Sequence, residues 1–395
     1  MRSSHPETLP LGGAESLEEA RSRTLGLVEP VSDEDLNRVH HPLMSPLVWD
    51  LGHIAAFEDL WVSREVSLPL LRPELARVYD ADETPRPDRG ELPYLRRGDA
   101  LKYMEEVRER ALSVLDRVSP FIAQMLVQHE HQHNETMLQT LQLAEAGVYS
   151  PRPARTTRAD GGAAASGTLR VEPAAAEIGD DGEGFAYDNE RPRHTVKLDA
   201  FEIDLAPVTN GRYREFVADG GYDDPRLWSE TGWEVRTSEG WERPLYWTED
   251  GGERRFDRLE QLDPDLPVMH VSFHEAEAFA RWAGARLPAE AEWEHAAGVA
   301  GGEPGNLDQL DFAPGPAGPF IGDCWEWTAT EFGGYPGFRA FPYPEYSEVF
   351  FGSGYKVLRG ASWATRPPVA RLTFRNWDHP QRRQIFAGFR CARDA

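Results

Sequence analysis

Apolar residues recur at helical spacing through the first 150 positions and lose that spacing afterwards. Residues 15–29, ESLEEARSRTLGLVE, pattern as an amphipathic helix. A second is predicted over 46–66, PLVWDLGHIAAFEDLWVSREV, with Leu47, Leu51, Ile54 and Leu60 among its apolar positions. Residues 98–116 give a third. The fourth runs from Pro120 or Phe121 to about Ala146 and stops at Gly147, a residue type suited to ending helices. Four such helices in succession predict a bundle, a scaffold in which metal sites are built from side chains projecting inward.

Residues 151–167 are small, polar and Pro/Gly-bearing and read as a linker. Beyond it the pattern changes to short strands, aromatics and glycine-rich turns. Two helical stretches stand out, 208–219 and 273–299, the second interrupted near Gly284 to Pro288. The expected architecture is therefore multidomain: a helical domain over 1–150, a linker over 151–167, and an α+β domain with long loops over 168–395. Such loops are where sites usually lie.

Composition agrees. A chain of 395 residues exceeds one ordinary core, and 40% hydrophobic residues, with 12 Trp and 18 Phe, suffice to pack two. A net charge of −25 argues against non-specific nucleic-acid binding, and it means that an anionic substrate needs a local arginine cluster. No apolar run is long enough for a membrane span, and the start, MRSSHPETLPLGG, lacks the apolar centre of a secretory signal. Two cysteines, Cys324 and Cys391, are too few for a disulfide scaffold, so a cytoplasmic protein is expected.

Chemistry enters at HEHQHNE, residues 129–135. His129 and His133 are four apart and share one helix face, roughly 40° apart, whereas His131 falls about 200° round and points away. His53 lies mid-helix in an apolar segment, where an imidazole must be satisfied to be buried. Three neutral nitrogen ligands on two bundle helices would hold one divalent metal and leave positions open. Two blander readings stand beside this one. The histidines could be hydrogen-bonded core residues, or HEHQH could be the HExxH of a zinc hydrolase with Glu130 as base.

Six strings in the second half occur together and in order: DNERPRH (188–194), PVTNGRYREF (207–216), WAGARLPAEAEWEHAA (282–297), GDCWEWT (322–328), RGASW (359–363) and GFRCAR (388–393). Over roughly 168–395 the chain closely resembles the formylglycine-generating-enzyme/sulfatase-modifying domain, an α+β fold related to C-type lectins. Those oxidases carry a cysteine pair after the RG-x-S-aromatic string; here that stretch, ATRPPVARLTFRN (364–376), has none, and Cys391 looks like framework. The first half, with SPLVWDLGHI and HEHQHNETML, looks like a DinB-type four-helix bundle. Joined, the two halves resemble the EgtB family, iron(II)-dependent sulfoxide synthases of ergothioneine biosynthesis.

That resemblance implies that His53, His129 and His133 hold Fe(II), and that γ-glutamylcysteine is joined through sulfur to C2 of the hercynine imidazole with O2 as oxidant. Tyr343 matches the tyrosine that steers the reaction away from simple thiol oxidation; a phenol can give a proton or hydrogen atom without being ionised at neutral pH. Arg86 and Arg89 match a pair gripping the carboxylates of γ-glutamylcysteine. Asp378 and Arg382 match contacts to its ammonium and a carboxylate. Gln132, Tyr346, Asn376 and Trp377 match positions that line the imidazole pocket, Trp377 being suited to a quaternary ammonium. One departure concerns the acceptor: actinobacterial members carry glutamines just after the first metal histidine, where this chain has Ala56 and Phe57. Ovothiol-type coupling of cysteine to histidine and selenoneine formation are related chemistries, but those relatives should lack the Arg86/Arg89 and Asp378/Arg382 set. A lectin-like binding module would need no histidine trio at all.

Overall fold

In the computed structural model, residues 13–151, 165–309 and 312–395 are described, and the chain divides into two units, residues 1–150 and 151–395. Most of the expected linker lies outside the described residues. Its last part already belongs to the second unit: the Ala165 amide donates to Ala317 O at 2.8 Å and Gly167 O accepts from Leu205 N at 3.0 Å.

The first unit holds α1 (Ala14–Val28), α2 (Asp33–Asn37), α3 (Leu47–Val66), α4 (Arg97–Ser113) and α5 (Pro120–Leu143). The four long helices fall where periodicity places them. The five-residue α2 is too short to show a period, although Ser32 caps it by accepting from the Asp35 amide. Pro120 occupies the first turn of α5 behind the Ser119 cap, a position where its missing N–H costs nothing. The helix ends before the expected Ala146, at Leu143. Helix α1 packs on α5, and α3 packs on both α4 and α5, around a core that includes Leu17, Leu51, Trp49, Met104, Leu126 and Leu138. One buried ionic cluster ties these four helices. Arg21 donates to Glu58 and Glu130, both at 2.8 Å, and Arg108 donates to Glu58 at 2.7 Å and Glu130 at 2.9 Å.

The second unit contains eleven short strands among the described residues: β1 (Thr168–Val171), β2 (Ala174–Ile178), β3 (His194–Leu198), β4 (Phe201–Asp204), β5 (Gly252–Arg255), β6 (Arg258–Gln261), β7 (Trp325–Glu331), β8 (Lys356–Arg359), β9 (Asn376–Asp378), β10 (Ala387–Gly388) and β11 (Ala392–Asp394). They form a three-stranded sheet, β1-β4-β11, a four-stranded sheet, β10-β7-β8-β9, and two hairpin pairs. Helices α6 (Asn210–Ala218), α7 (Glu230–Glu239), α8 (Phe273–Trp282) and α9 (Glu290–Ala300) complete it. The expected break separates α8 from α9, with Gly284 at φ 63°. Helix α7 was not anticipated; its signals, a Ser229 cap and a left-handed Gly240, are local rather than periodic.

The recognised strings meet in buried ion pairs. Glu290 of α9 accepts from Arg359 at 2.9 Å and from Arg375 at 2.5 Å. Glu326 of β7 accepts from Arg390 at 2.6 Å and from the Trp293 indole N–H at 2.9 Å. Paired charges this deeply buried make these residues framework, since losing either partner would strand the other.

Candidate metal centre

Helices α3 and α5 bring His53, His129 and His133 together, with one ligand-capable atom from each lying within 4.8 Å of the other two. His53 is buried, whereas His129 and His133 are half-buried. Nε2 of His53 and Nε2 of His129 are 3.2 Å apart. Two imidazole nitrogens bound to one ion at about 2.1 Å would lie about 3.0–3.4 Å apart in cis-octahedral or tetrahedral geometry, so the His53–His129 pair already has the spacing of two ligands to one ion.

Each ring is held by a different device. His53 Nδ1 lies 2.7 Å from the Tyr79 carbonyl, which takes its N–H and leaves Nε2 as the free lone pair. Gly52 permits this: a Cβ there would fall 2.1 Å from the Tyr79 ring. Trp49 stacks on the His53 ring at 4.9 Å between centroids, and the Arg89 guanidinium covers Trp49 at 3.8 Å. His133 Nδ1 lies 3.1 Å from Oδ1 of buried Asp50, again leaving Nε2 for a metal. The other carboxylate oxygen, Oδ2, is buried without a hydrogen-bond partner. His129 is stacked face to face by Phe57 at 3.7 Å and 8°. Burial, then the neighbouring His133, holds the pKa of both His53 and His129 well below the usual imidazole range. Both rings are thus neutral at pH 7, the form that binds metal.

The zinc-hydrolase reading fails on Glu130. Its carboxylate is 1% exposed and is spent on Arg21, Arg108 and the Thr24 hydroxyl at 2.7 Å. Those cations keep it ionised despite burial, and nothing leaves it free to activate water. His131 is likewise turned away, with Nε2 3.6 Å from Glu19.

The expected substrate residues are distributed over both units. Gln132 is half-buried on α5, in the sequence between His129 and His133. Arg86 is exposed, with one N–H directed to Leu43 O at 3.3 Å. Arg89 is buried and donates to Thr84 O at 2.8 Å, Ser45 Oγ at 2.9 Å and Ala81 O at 3.2 Å. Burial, then Arg86, pushes its pKa down to about 10, which leaves it charged at neutral pH. In the second unit the loops gather an aromatic group. Tyr346 stacks on Tyr187 at 4.0 Å, Tyr343 meets Tyr346 at 6.3 Å, and Trp377 lies edge-on to Tyr346 at 5.7 Å with one face against Phe332. Asn376 and Trp377 share β9 with Asp378, whose Oδ1 is 3.6 Å from Arg382 Nε. Cys324 and Cys391 are both buried, and burial pushes their thiols up, so neither is a ready nucleophile.

Sequence reasoning missed Asp50, Tyr79 and Phe57 as orienting groups. Asp50 carried a usable signal, a carboxylate one turn before His53 on an otherwise apolar helix. Tyr79 acts through its backbone carbonyl and carried none.

Residues 154–315 and 317–395 match the family model of the sulfatase-modifying factor enzyme 1-like domain, and residues 16–137 match that of the DinB superfamily. The chain is 43% identical to a hercynine oxygenase of Mycolicibacterium smegmatis, covering 96% of this chain and 98% of that protein. It is 42% identical to a hercynine oxygenase of Mycobacterium tuberculosis, covering 96% and 97%. A formylglycine-generating enzyme of Streptomyces coelicolor is 31% identical over 63% of this chain and 95% of that protein.

Proposed function

This chain belongs to the hercynine oxygenase family, and from that premise we propose that it joins γ-glutamylcysteine to C2 of hercynine as an iron(II)- and O2-dependent sulfoxide synthase. The observation that carries the reading is the three-histidine group, its rings held by the Tyr79 carbonyl, Asp50 and Phe57, set in a chain that is similar to these oxygenases over nearly its whole length. The overall change balances. The thiol loses its hydrogen and the imidazole loses the hydrogen on C2. A C–S bond forms, one oxygen of O2 ends on sulfur, and the other leaves as water. Four electrons pass from the two substrates to O2.

Iron(II) held by His53, His129 and His133 would supply the one-electron chemistry that activates O2. The chain's own side chains do the rest. Exposed Arg86 and buried Arg89 provide the positive potential that a dianionic thiol peptide needs in a protein of charge −25. Asp378 and Arg382 take the opposite charges of the amino-acid end. The family resemblance assigns Gln132 in the first unit, and Asn376, Tyr346 and Trp377 in the second, to recognition of the imidazole substrate. Tyr343 gives its phenolic hydrogen to the reacting centre, which diverts oxidation from the thiol alone to C–S coupling.

The test is direct. The protein is reconstituted anaerobically with iron(II), mixed with γ-glutamylcysteine and either hercynine or histidine, exposed to O2, and analysed by mass spectrometry. The sulfoxide adduct of hercynine is expected; turnover of another thiol or selenol with no such adduct would overturn the reading. Tyr343→Phe is expected to keep iron and both substrates but to release sulfinic acid instead of sulfoxide.

A further inference from the structure

The segment that carries Tyr343, Phe341-Pro342-Tyr343-Pro344-Glu345-Tyr346-Ser347, has little regular structure: one three-residue turn at Pro344–Tyr346. Two prolines flank Tyr343 and hold it extended, at φ −151° and ψ 148°, the conformation a residue before proline favours. Local stiffness fixes the tyrosine within the segment but does not fix the segment in the domain. That second task falls to three consecutive residues far away in sequence, Tyr187, Asp188 and Asn189.

Asp188 is 3% exposed. Its Oδ1 accepts from the Ser347 hydroxyl at 2.5 Å, and its Oδ2 accepts from the Phe341 amide at 3.2 Å. One carboxylate therefore grips both ends of the segment, two residues before Tyr343 and four after it. The Asn189 amide donates to the same Ser347 hydroxyl at 3.0 Å, so Ser347 has both an acceptor and a donor. Tyr187 closes the clip by stacking on Tyr346 at 4.0 Å and 15°. The clip is itself anchored: Glu190, the next residue, is fully buried and accepts from Arg371 at 2.6 Å and from the Thr373 hydroxyl at 2.7 Å. The backbone of Asp188–Glu190 is a single tight turn. An unstructured segment is thus bolted to a rigid one at its two ends and at one ring.

We propose that Asp188 is a positioning residue for Tyr343: by bracketing the segment at Phe341 and Ser347 it holds the phenol in the register that favours sulfoxide over sulfinate. This rests on the reading of Tyr343 given above. The chemistry of the carboxylate makes the idea sharp. Both of its partners are donors, so it must present two acceptor oxygens. An asparagine of the same shape presents one acceptor and one NH2. It keeps the Phe341 amide only by turning its NH2 to Ser347, whose hydroxyl must then accept rather than donate, and neither bond is any longer made to a charged group. The bracket weakens while volume and burial are unchanged.

Asp188→Asn, Ser347→Ala and Tyr343→Phe are compared, each as full-length protein loaded with iron(II), by the ratio of sulfoxide to sulfinate formed from γ-glutamylcysteine and hercynine. Metal stoichiometry and thermal melting are measured alongside. For Asp188→Asn the ratio is expected to fall roughly tenfold, the effect of hydrogen bonds no longer made to a charged group. Ser347→Ala, which breaks only one arm, is expected to give a smaller fall in the same direction. Both variants should bind metal like the parent. A ratio unchanged in these two but shifted in Tyr343→Phe overturns the clip and leaves the tyrosine's role standing. A ratio unchanged in Tyr343→Phe overturns the tyrosine reading itself. If Asp188→Asn does not fold, Ser347→Ala alone decides the matter, since removing one hydroxyl leaves the rest of the clip intact.

Discussion

Replacing Asp50 with asparagine should weaken metal binding far more than it weakens the fold. In the parent, the Asp50 carboxylate lies 3.1 Å from His133 Nδ1 and is 1% exposed. It accepts the ring N–H, which fixes Nε2 as the atom left for a metal. Partners of this kind are worth about 10–100-fold in metal affinity, or about 1.4–2.7 kcal/mol. The metal-free chain should lose less. Asparagine can still accept through its one oxygen, and Oδ2, which has no hydrogen-bond partner, is exchanged for a neutral group, a change of about 1 kcal/mol or less. The assay compares melting temperature with and without a fixed excess of metal, so that each protein is its own reference. Bound metal stabilises by RT ln(1 + [L]/Kd), and the variant should therefore lose about 1.4–2.7 kcal/mol of that increment. At about 2–4 °C per kcal/mol for domains of about 150–250 residues, the metal-induced rise in Tm should shrink by at least about 3 °C. A competition titration with cobalt(II) should give the same 10–100-fold change. If Asp50→Asn shows the parent's metal-induced rise, whatever its metal-free Tm, the carboxylate does not serve the metal site.

Two further outcomes are expected. His270 is buried, with Nδ1 3.2 Å from Arg383 O, and burial pushes its pKa down to about 3. Its unfolded form takes a proton near pH 6.5 and its folded form does not, so the stability it contributes is whole above about 6.5 and is lost as pH falls. By pH 5 the loss from this group is about 2 kcal/mol. His270→Asn, which suits the left-handed backbone at φ 60°, should lessen the drop in urea stability between pH 7 and pH 5 by that amount; an unchanged drop would refute the assignment. Glu130→Gln should cost about 3–5 kcal/mol, because it leaves Arg21 and Arg108 under-compensated in the bundle core. The molecules that remain folded should bind metal normally in a cobalt(II) titration. A variant with parental stability and abolished turnover would instead give Glu130 an acid–base role.

How far the sequence disclosed the site depended on where each partner sits along the chain. The spacing of His129 and His133 is a property of one helix, and 3.6 residues per turn is enough to place both rings on one face. His53 could be joined to them because four periodic helices in succession have few ways to bury their apolar stripes. The supports of those rings follow no such rule. Tyr79 contributes a backbone carbonyl from a loop 26 residues after His53, and the Asp188 carboxylate reaches a hydroxyl 159 residues away. Neither pairing leaves a period or a spacing, so only the folded chain reveals it. The same contrast bears on Ala56 and Phe57. As a sequence difference, Phe57 looked like the loss of a substrate-holding amide. In the structure its ring lies flat on His129 at 3.7 Å, a position that fixes a ligand plane and shields one face of the ligand from water. The half-buried Phe57 therefore supports the metal site on the His129 side as Trp49 supports it on the His53 side. A residue that seemed to subtract from acceptor binding has a defined task of its own. Under the proposed function the amino-acid end of the acceptor would be held by other groups, and Gln132, Asn376 and Trp377 are the side chains to change in testing that.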